Sequence, residues 1–309
     1  MSREIKRVAV IGAGTMGPGT AFDYAKTGLP VAIWTRSEKT LSQAKERIGQ
    51  ILDVRVNNGT YTRQQADAIA ANFTYTNDLT EAVKGADLIL EAVAEKLDIK
   101  KDVFEKLDAL LPEDVIIASD TSALDIFSVM PERRLPYTVI LHGFMPPEVV
   151  PLIEIVKGEK TSAETMETAK EIVEKMDKVG VVMEKYTRGF IVNRLQGAIL
   201  REAYKLVTEG FATPEQIDTA VKSSIMPRAS IMGLFQTKDF NGLDIGYNPE
   251  NPNTPQFMKD LVENGNLGVK TGKGFYDYTG RSMEQVFAER DNAMLKAFAN
   301  NKEFQTKPL

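Results

Sequence analysis

The sequence predicts an α/β protein: a doubly wound parallel sheet over residues 1–185, then a second, all-helical domain over 186–309. Three observations lead there. Short apolar runs alternate with longer amphipathic stretches through the first 185 residues, the mark of strands buried on both faces and separated by helices. A glycine-rich turn follows the first run directly, and after residue 186 the pattern becomes helical, with loops rich in Gly, Pro and Asn. At 309 residues the chain is long for one hydrophobic core, which agrees with two domains.

The expected strands, in order, are "RVAVIG" (7–12), "PVAIW" (30–34), "DLILEAV" (87–93), "DVIIAS" (114–119), "YTVILH" (137–142), "PLIEIV" (151–156) and "GVVME" (180–184). Helical periodicity is clear in "LTEAVKGA", "IKKDVFEKLDALL" and "TSAETMETAKEIVEKMDKV". In the last of these, Thr161 or Ser162 can cap the helix, and acidic residues crowd its first turns. Residues 41–72 show no strand pattern and read as a helical pair turning at "NNGTYT". This excursion either reaches over a substrate or is purely structural. In the second domain, Thr213-Pro214-Glu215 marks a helix start.

Composition narrows the functions available. With 43% hydrophobic and 26% charged residues the chain can build and solvate a core. A net charge of −5 without blocks of like charge excludes a nucleic-acid surface, which needs a basic face. There is no cysteine and only one histidine, so no disulfide, thiolate site or histidine-rich zinc site is expected. The start, "MSREIKRVAVIGAG", reaches a strand pattern without a signal-peptide design. No apolar run approaches the ~18 residues of a membrane helix. The expectation is a cytoplasmic protein acting on a small molecule.

The glycine turn carries the first chemistry. Gly12, Gly14 and Gly17, with Thr15 and Met16 between them, stand after a strand and at the mouth of a helix. That is the Rossmann-type arrangement: Gly12 allows the tight turn, Gly14 lets backbone approach a pyrophosphate, and Gly17 lets helix pack on strand. Free amides at the helix start then face the phosphates. A carboxylate at the tip of the second strand would bind the ribose of NAD. Here the tip reads Thr35-Arg36-Ser37, with Lys39 following. A guanidinium flanked by hydroxyls suits a 2′-phosphate, so NADP(H) is expected, with NAD(H) as the alternative.

The one histidine, His142, closes a strand of the same domain, where open α/β sheets place their ligands. Glu154 lies between Ile153 and Ile155 in an apolar run, a costly place for an unpaired carboxylate. A neighbouring imidazole would satisfy it and make an acid/base pair. Ser122 sits at a loop–helix junction and Asn193 interrupts the apolar "GFIVNRL". Either could position a reacting oxygen, or serve as a helix cap and a satisfied interior amide.

Across "VIGAGTMGPG", "ADLILEAVAEKLDIKKDVF", "ASDTSAL", "LHGFMPPEVVPLIEIVKGEKTS", "GFIVNRLQGAILREA" and "LGVKTGKGFYDY" the chain resembles the 3-hydroxyacyl-CoA dehydrogenase superfamily. The resemblance implies a dinucleotide-binding domain, a helical domain that often dimerises, and oxidation of a 3-hydroxy compound to its 3-keto form. It places the catalytic pair on His142 and Glu154, oxygen-binding groups on Ser122 and Asn193, and cofactor contacts on Glu95, Lys100 and Lys270.

The departures concern cofactor and substrate. The family's His-Phe-Phe-Asn-Pro is His142-Gly143-Phe144-Met145-Pro146 here, its Ser-Asn-Thr-Ser is Ser119-Asp120-Thr121-Ser122, and the proline of its Pro-Gly-Phe is Arg188. A serine and a lysine that contact coenzyme A in the family correspond to Ile51 and Asn58. Losing that cation weakens the case for a CoA thioester, and the double-proline "MPPEVVPLIEIV" and the stretch "NRLQGAILREAYKLV" resemble the branch acting on free small molecules, which includes L-gulonate 3-dehydrogenase, carnitine dehydrogenase and dehydrogenases of pyridine alcohols or aldehydes. Arg188 is then either a candidate carboxylate binder or a surface arginine at a domain hinge. Two competing readings are a catalytically silent, crystallin-like or nucleotide-sensing protein and a β-hydroxyacid dehydrogenase that uses a catalytic lysine.

Overall fold

The computed structural model describes residues 2–304. One eight-stranded sheet organises the first part of the chain. Its strands are β1 (Val8–Ile11), β2 (Val31–Trp34), β3 (Phe73–Thr76), β4 (Leu88–Glu91), β5 (Ile116–Ser119), β6 (Thr138–His142), β7 (Leu152–Lys157) and β8 (Val179–Met183), in spatial order β3-β2-β1-β4-β5-β6-β7-β8. Helices α1 (Gly17–Ala25), α2 (Glu38–Asn57), α3 (Arg63–Ala70), α4 (Leu79–Val83), α5 (Leu97–Leu110) and α6 (Ala163–Lys175) connect them. Then follow α7 (Val192–Thr208), α8 (Pro214–Ala220), α9 (Met226–Asn241), α10 (Gln256–Glu263) and α11 (Met283–Asn301). The chain forms two compact units, residues 1–197 and 198–309.

Period-two alternation explains the double winding. Val8 and Val10 of β1 enter one core layer with Phe22 of α1 and Ile48 of α2, whereas Ala9 and Ile11 enter the other with Val103 and Phe104 of α5. Each central strand is buried on both sides, which is why it reads as an unbroken apolar run. In the second unit, Val269, Tyr278 and Val286 form a small core against Phe240 and Phe287.

Two features depart from the sequence reading. The edge strand β3 was not expected. Its residues, Phe-Thr-Tyr-Thr, are half-buried or exposed, and only Phe73 and Tyr75 pack on the core. A strand covered on one face carries no apolar run to announce it. The second departure is that β7 runs antiparallel to β6, and β8 parallel to β7. The connection 143–151 is shorter than the dozen or so residues a parallel crossover needs. The chain therefore doubles back, and the register sets His142 directly opposite Glu154. Ser162, rather than Thr161, caps α6 by accepting the Thr165 amide.

Candidate active site

The carboxyl edge of the sheet gathers the polar residues of the first unit. His142 ends β6, and its Nδ1 lies 2.8 Å from Glu154 Oε2. Both side chains are buried, Glu154 completely. The second oxygen, Oε1, accepts the amides of Ile191 and Val192, each at 2.9 Å. Those amides open α7, so the carboxylate also meets the positive end of a helix. Gly189 and Phe190 turn the chain into that helix with positive φ values of 78° and 49°, a conformation that glycine adopts freely and phenylalanine only where packing holds it. The Phe190 ring is that packing: it lies 5.3 Å from the His142 ring, and Phe144 lies 4.4 Å away on the same imidazole.

Burial pushes the Glu154 carboxyl up, but the His142 bond and the two helix amides outweigh it, holding the group below the usual carboxylate range. It therefore stays charged, and Nδ1–H of His142 donates to it. Nε2 has no hydrogen-bond partner among the described residues and is the nitrogen left for proton exchange.

Ser122 and Asn193 are brought to the same place. The Asn193 side-chain amide donates to the Ser122 carbonyl at 3.1 Å, and Asn193 directly follows the Glu154-bound amides. Glu95 clamps the turn below. Its Oε1 accepts the Thr121 hydroxyl (2.7 Å), the Ser122 amide (2.8 Å) and hydroxyl (3.1 Å), and the Ala123 amide (3.2 Å). Burial raises the Glu95 carboxyl, and Thr121, Lys100 and the Ser122 amide pull it below the usual range.

Lys100 does not reach outward as a cofactor contact would. It is 1% exposed, binds both oxygens of Glu91 at 2.8 and 3.0 Å, and lies 3.3 Å from Glu95. A buried ammonium needs that many carboxylate oxygens, so its reach toward a ligand is through Glu95. Lys270 lies in the second unit, paired with Asp244.

The glycine turn has the shape its spacing predicts. A Cβ on Gly12, whose φ is +119°, would collide with the Ala92 carbonyl, and one on Gly17 with the Gly12 carbonyl. Gly14 and Thr15 are exposed. No side chain caps α1, so its first amides are free to meet an anion. Gly14 and Thr15 line a groove of about 520 Å³ with Gln43 and Arg47 of α2 and with Met145. At the tip of β2, Thr35 is half-buried, and Arg36 and Lys39 are exposed with no hydrogen bond or ion pair among the described residues. The free amides and exposed cations of this cradle are donors that suit phosphates.

The helical insertion is braced onto the loop after His142. Arg47 binds Glu148 Oε1 at 2.6 Å, and Arg55 donates to the Glu148 carbonyl while covering the Phe22 ring at 4.4 Å. Ile51 is buried inside the insertion and Asn58 is exposed. Arg188 is exposed. Phe144, Phe190, Glu91 and the helix amides were not singled out from sequence, although the Gly189-Phe190 pair before a helix was a readable signal.

Residues 7–186 match the family model described as 3-hydroxyacyl-CoA dehydrogenase, NAD binding domain, and residues 189–278 match its C-terminal domain. The chain belongs to the 3-hydroxyacyl-CoA dehydrogenase family. It is thereby an NAD-dependent type of oxidoreductase acting on CH–OH groups. Among its relatives is the 5-formyl-3-hydroxy-2-methylpyridine 4-carboxylate 5-dehydrogenase of Mesorhizobium japonicum, 32% identical over 93% of this chain and 95% of that one. The 3-hydroxybutyryl-CoA dehydrogenase of Mycobacterium tuberculosis is 33% identical over 90% of this chain and all of that one. Among solved structures, a 3-hydroxyacyl-CoA dehydrogenase of Archaeoglobus fulgidus superposes with a TM-score of 0.80 at 27% identity, over 98% of this chain and all of that one. The family membership removes the lysine-based β-hydroxyacid alternative.

Proposed function

We propose that this family member interconverts a 3-hydroxy compound and its 3-keto form, with His142 as the proton carrier and Glu154 as its positioning carboxylate. The observation that carries the reading is the buried His142–Glu154 pair, locked by two helix amides and leaving Nε2 for the substrate. In the oxidative direction Nε2 accepts the hydroxyl proton as the carbinol C–H bond breaks and its electron pair leaves with the hydride. Glu154 stabilises the imidazolium so formed. Ser122 and Asn193 hold the oxygen as it changes from hydroxyl to carbonyl. A bound nicotinamide dinucleotide supplies the hydride acceptor.

The residues that would hold it are Gly12, Gly14, Thr15, Met16 and Gly17 at the pyrophosphate, with Glu95 contributing and Lys100 acting through Glu95. Thr35, Arg36 and Lys39 favour NADP(H) over NAD(H), because two free cations stand where an acidic residue would select NAD. The NAD binding domain of the family model supports the other choice, as does a solved 5-formyl-3-hydroxy-2-methylpyridine 4-carboxylic acid 5-dehydrogenase, an NAD+ dependent dismutase 29% identical to this chain with a TM-score of 0.72.

On the substrate, a second reading has a specific support. Ile51 is buried and Asn58 is uncharged, while Arg47 and Arg55 are engaged with Glu148. A free small alcohol, with Arg188 taking its carboxylate, then fits better than a CoA thioester, whose phosphates need cations. Exposed Leu234, Phe235 and Phe257 of the second unit support a homodimer, and the cysteine-free composition agrees with the cytoplasm. The test compares kcat/KM for 3-hydroxybutyryl-CoA and for free hydroxy acids with either dinucleotide. Turnover of a free acid above that of the thioester is expected; hydride transfer from no 3-hydroxy compound to either dinucleotide sinks the proposal.

A further inference from the structure

The reaction described above leaves one residue of the site without a role. Asp120 follows β5 directly, at the carboxyl edge of the sheet. Its Oδ1 accepts the amide of Gly143, the residue after His142, at 2.8 Å. Its Oδ2 is buried and has no hydrogen-bond partner among the described residues. A Cβ built on Gly143 would lie 3.7 Å from Asp120 Oδ1 and 3.8 Å from the Met16 methyl. The carboxyl therefore sits across Gly143 from the dinucleotide loop.

The charged and titratable groups around Asp120 are Glu91 at the end of β4, Lys100 from α5, His142 from β6 and Tyr24 from α1. Lys100 is held by Glu91 and Glu95, and His142 by Glu154 of β7. Asp120 thus has no cation of its own. As a carboxylate it holds charge on an enclosed Oδ2 that no donor meets, with one amide at Oδ1; as a carboxylic acid it costs far less to enclose.

We propose that Asp120 is a proton-holding positioning residue shared by His142 and the dinucleotide loop. Protonated, it fixes Gly143 and leaves the loop receptive to the cofactor's phosphates. Ionised, it sets a negative charge beside that loop and beside the imidazole. Burial, with Glu91 adding to it against the Gly143 amide, His142 and Lys100, pushes the Asp120 carboxyl up to about 7, so the exchange falls in the working range of pH. The inference rests on the dinucleotide reading of residues 12–17 and on His142 as proton carrier.

Two measurements on the full-length protein test it. The single histidine gives one imidazole signal in NMR, identified without assignment. In the wild type that signal is expected to report the proton leaving Asp120 as a chemical-shift step near pH 7, and Asp120→Asn, which keeps the acceptor for Gly143, is expected to abolish that step. Equilibrium dissociation constants for NADH and NADPH, followed from Trp34, are expected to rise about tenfold across the Asp120 titration in the wild type and to stay flat in Asp120→Asn. A wild-type curve that Asp120→Asn leaves unchanged, or dissociation constants with the same pH dependence in both proteins, overturns the assignment while leaving the dehydrogenase reading intact. Failure to bind either dinucleotide overturns both. If Asp120→Asn does not fold, carboxyl signals of wild-type protein labelled with carbon-13 aspartate decide: a carboxyl titrating near pH 7 supports the proposal, and none above pH 5 overturns it.

Discussion

A carboxylate with no exposed surface has to be answered by the protein, and Glu154 is answered three times: by the imidazole and by two amides at a helix start. That arrangement separates orientation from proton transfer, since Nδ1 is occupied and Nε2 is not. Replacing Glu154 by Gln keeps the shape and removes the charge that an imidazolium needs; kcat is expected to fall about a hundredfold, with dinucleotide affinity unchanged. Because the Glu154 carboxyl is held low in the folded protein, the stability it contributes is present above its unfolded value of 4.5 and is lost as pH falls through the lower folded value. Thermal unfolding followed below pH 4.5 should therefore show a shallower acid loss in Glu154→Gln than in the wild type. At the other end of the cleft, Arg36→Glu is expected to weaken NADPH binding by more than tenfold, since it exchanges a cation for a charge that repels a 2′-phosphate. NADH binding should improve or stay level. Equal loss for both would show that Arg36 does not read the 2′-phosphate.

Elements differed in how much of them the sequence disclosed. β1, β2, β4 and β5 were legible because burial on both faces makes each an apolar run, and α1 was legible because the glycines around it answer to backbone contacts. Gly17 is the sharpest case: a methyl there would fall on the Gly12 carbonyl, so Gly17→Ala is expected to cost roughly 1–3 kcal/mol. Denaturant unfolding should show that loss, and dinucleotide titration a weaker affinity beside it. β3 was hidden because a half-covered edge strand leaves only Phe73 and Tyr75 as a signal. The reversal at β7 was hidden for another reason: strand direction is written in loop length, not in the strand's own residues. His142 and Glu154 were recognised as a pair from chemistry, yet their register, and the amides that hold Glu154, follow from that reversal and from the turn at Gly189-Phe190. Lys100 shows the opposite failure, because sequence gave no sign that Glu91 and Glu95 would enclose it.

At the scale of the whole molecule, one histidine serves a chain of 309 residues, and the sheet, the reversal after β6 and the start of α7 converge on it. Family membership supplies the class of reaction, and the role proposed for the buried pair is to move its proton. The most direct test replaces His142 by Gln and follows dinucleotide reduction with a 3-hydroxy substrate, beside dinucleotide binding measured through Trp34. The account predicts unchanged binding and a turnover lower by roughly a thousandfold. Turnover equal to the wild type would contradict it, because a protein that reacts as well without its only imidazole does not use His142 to carry the proton.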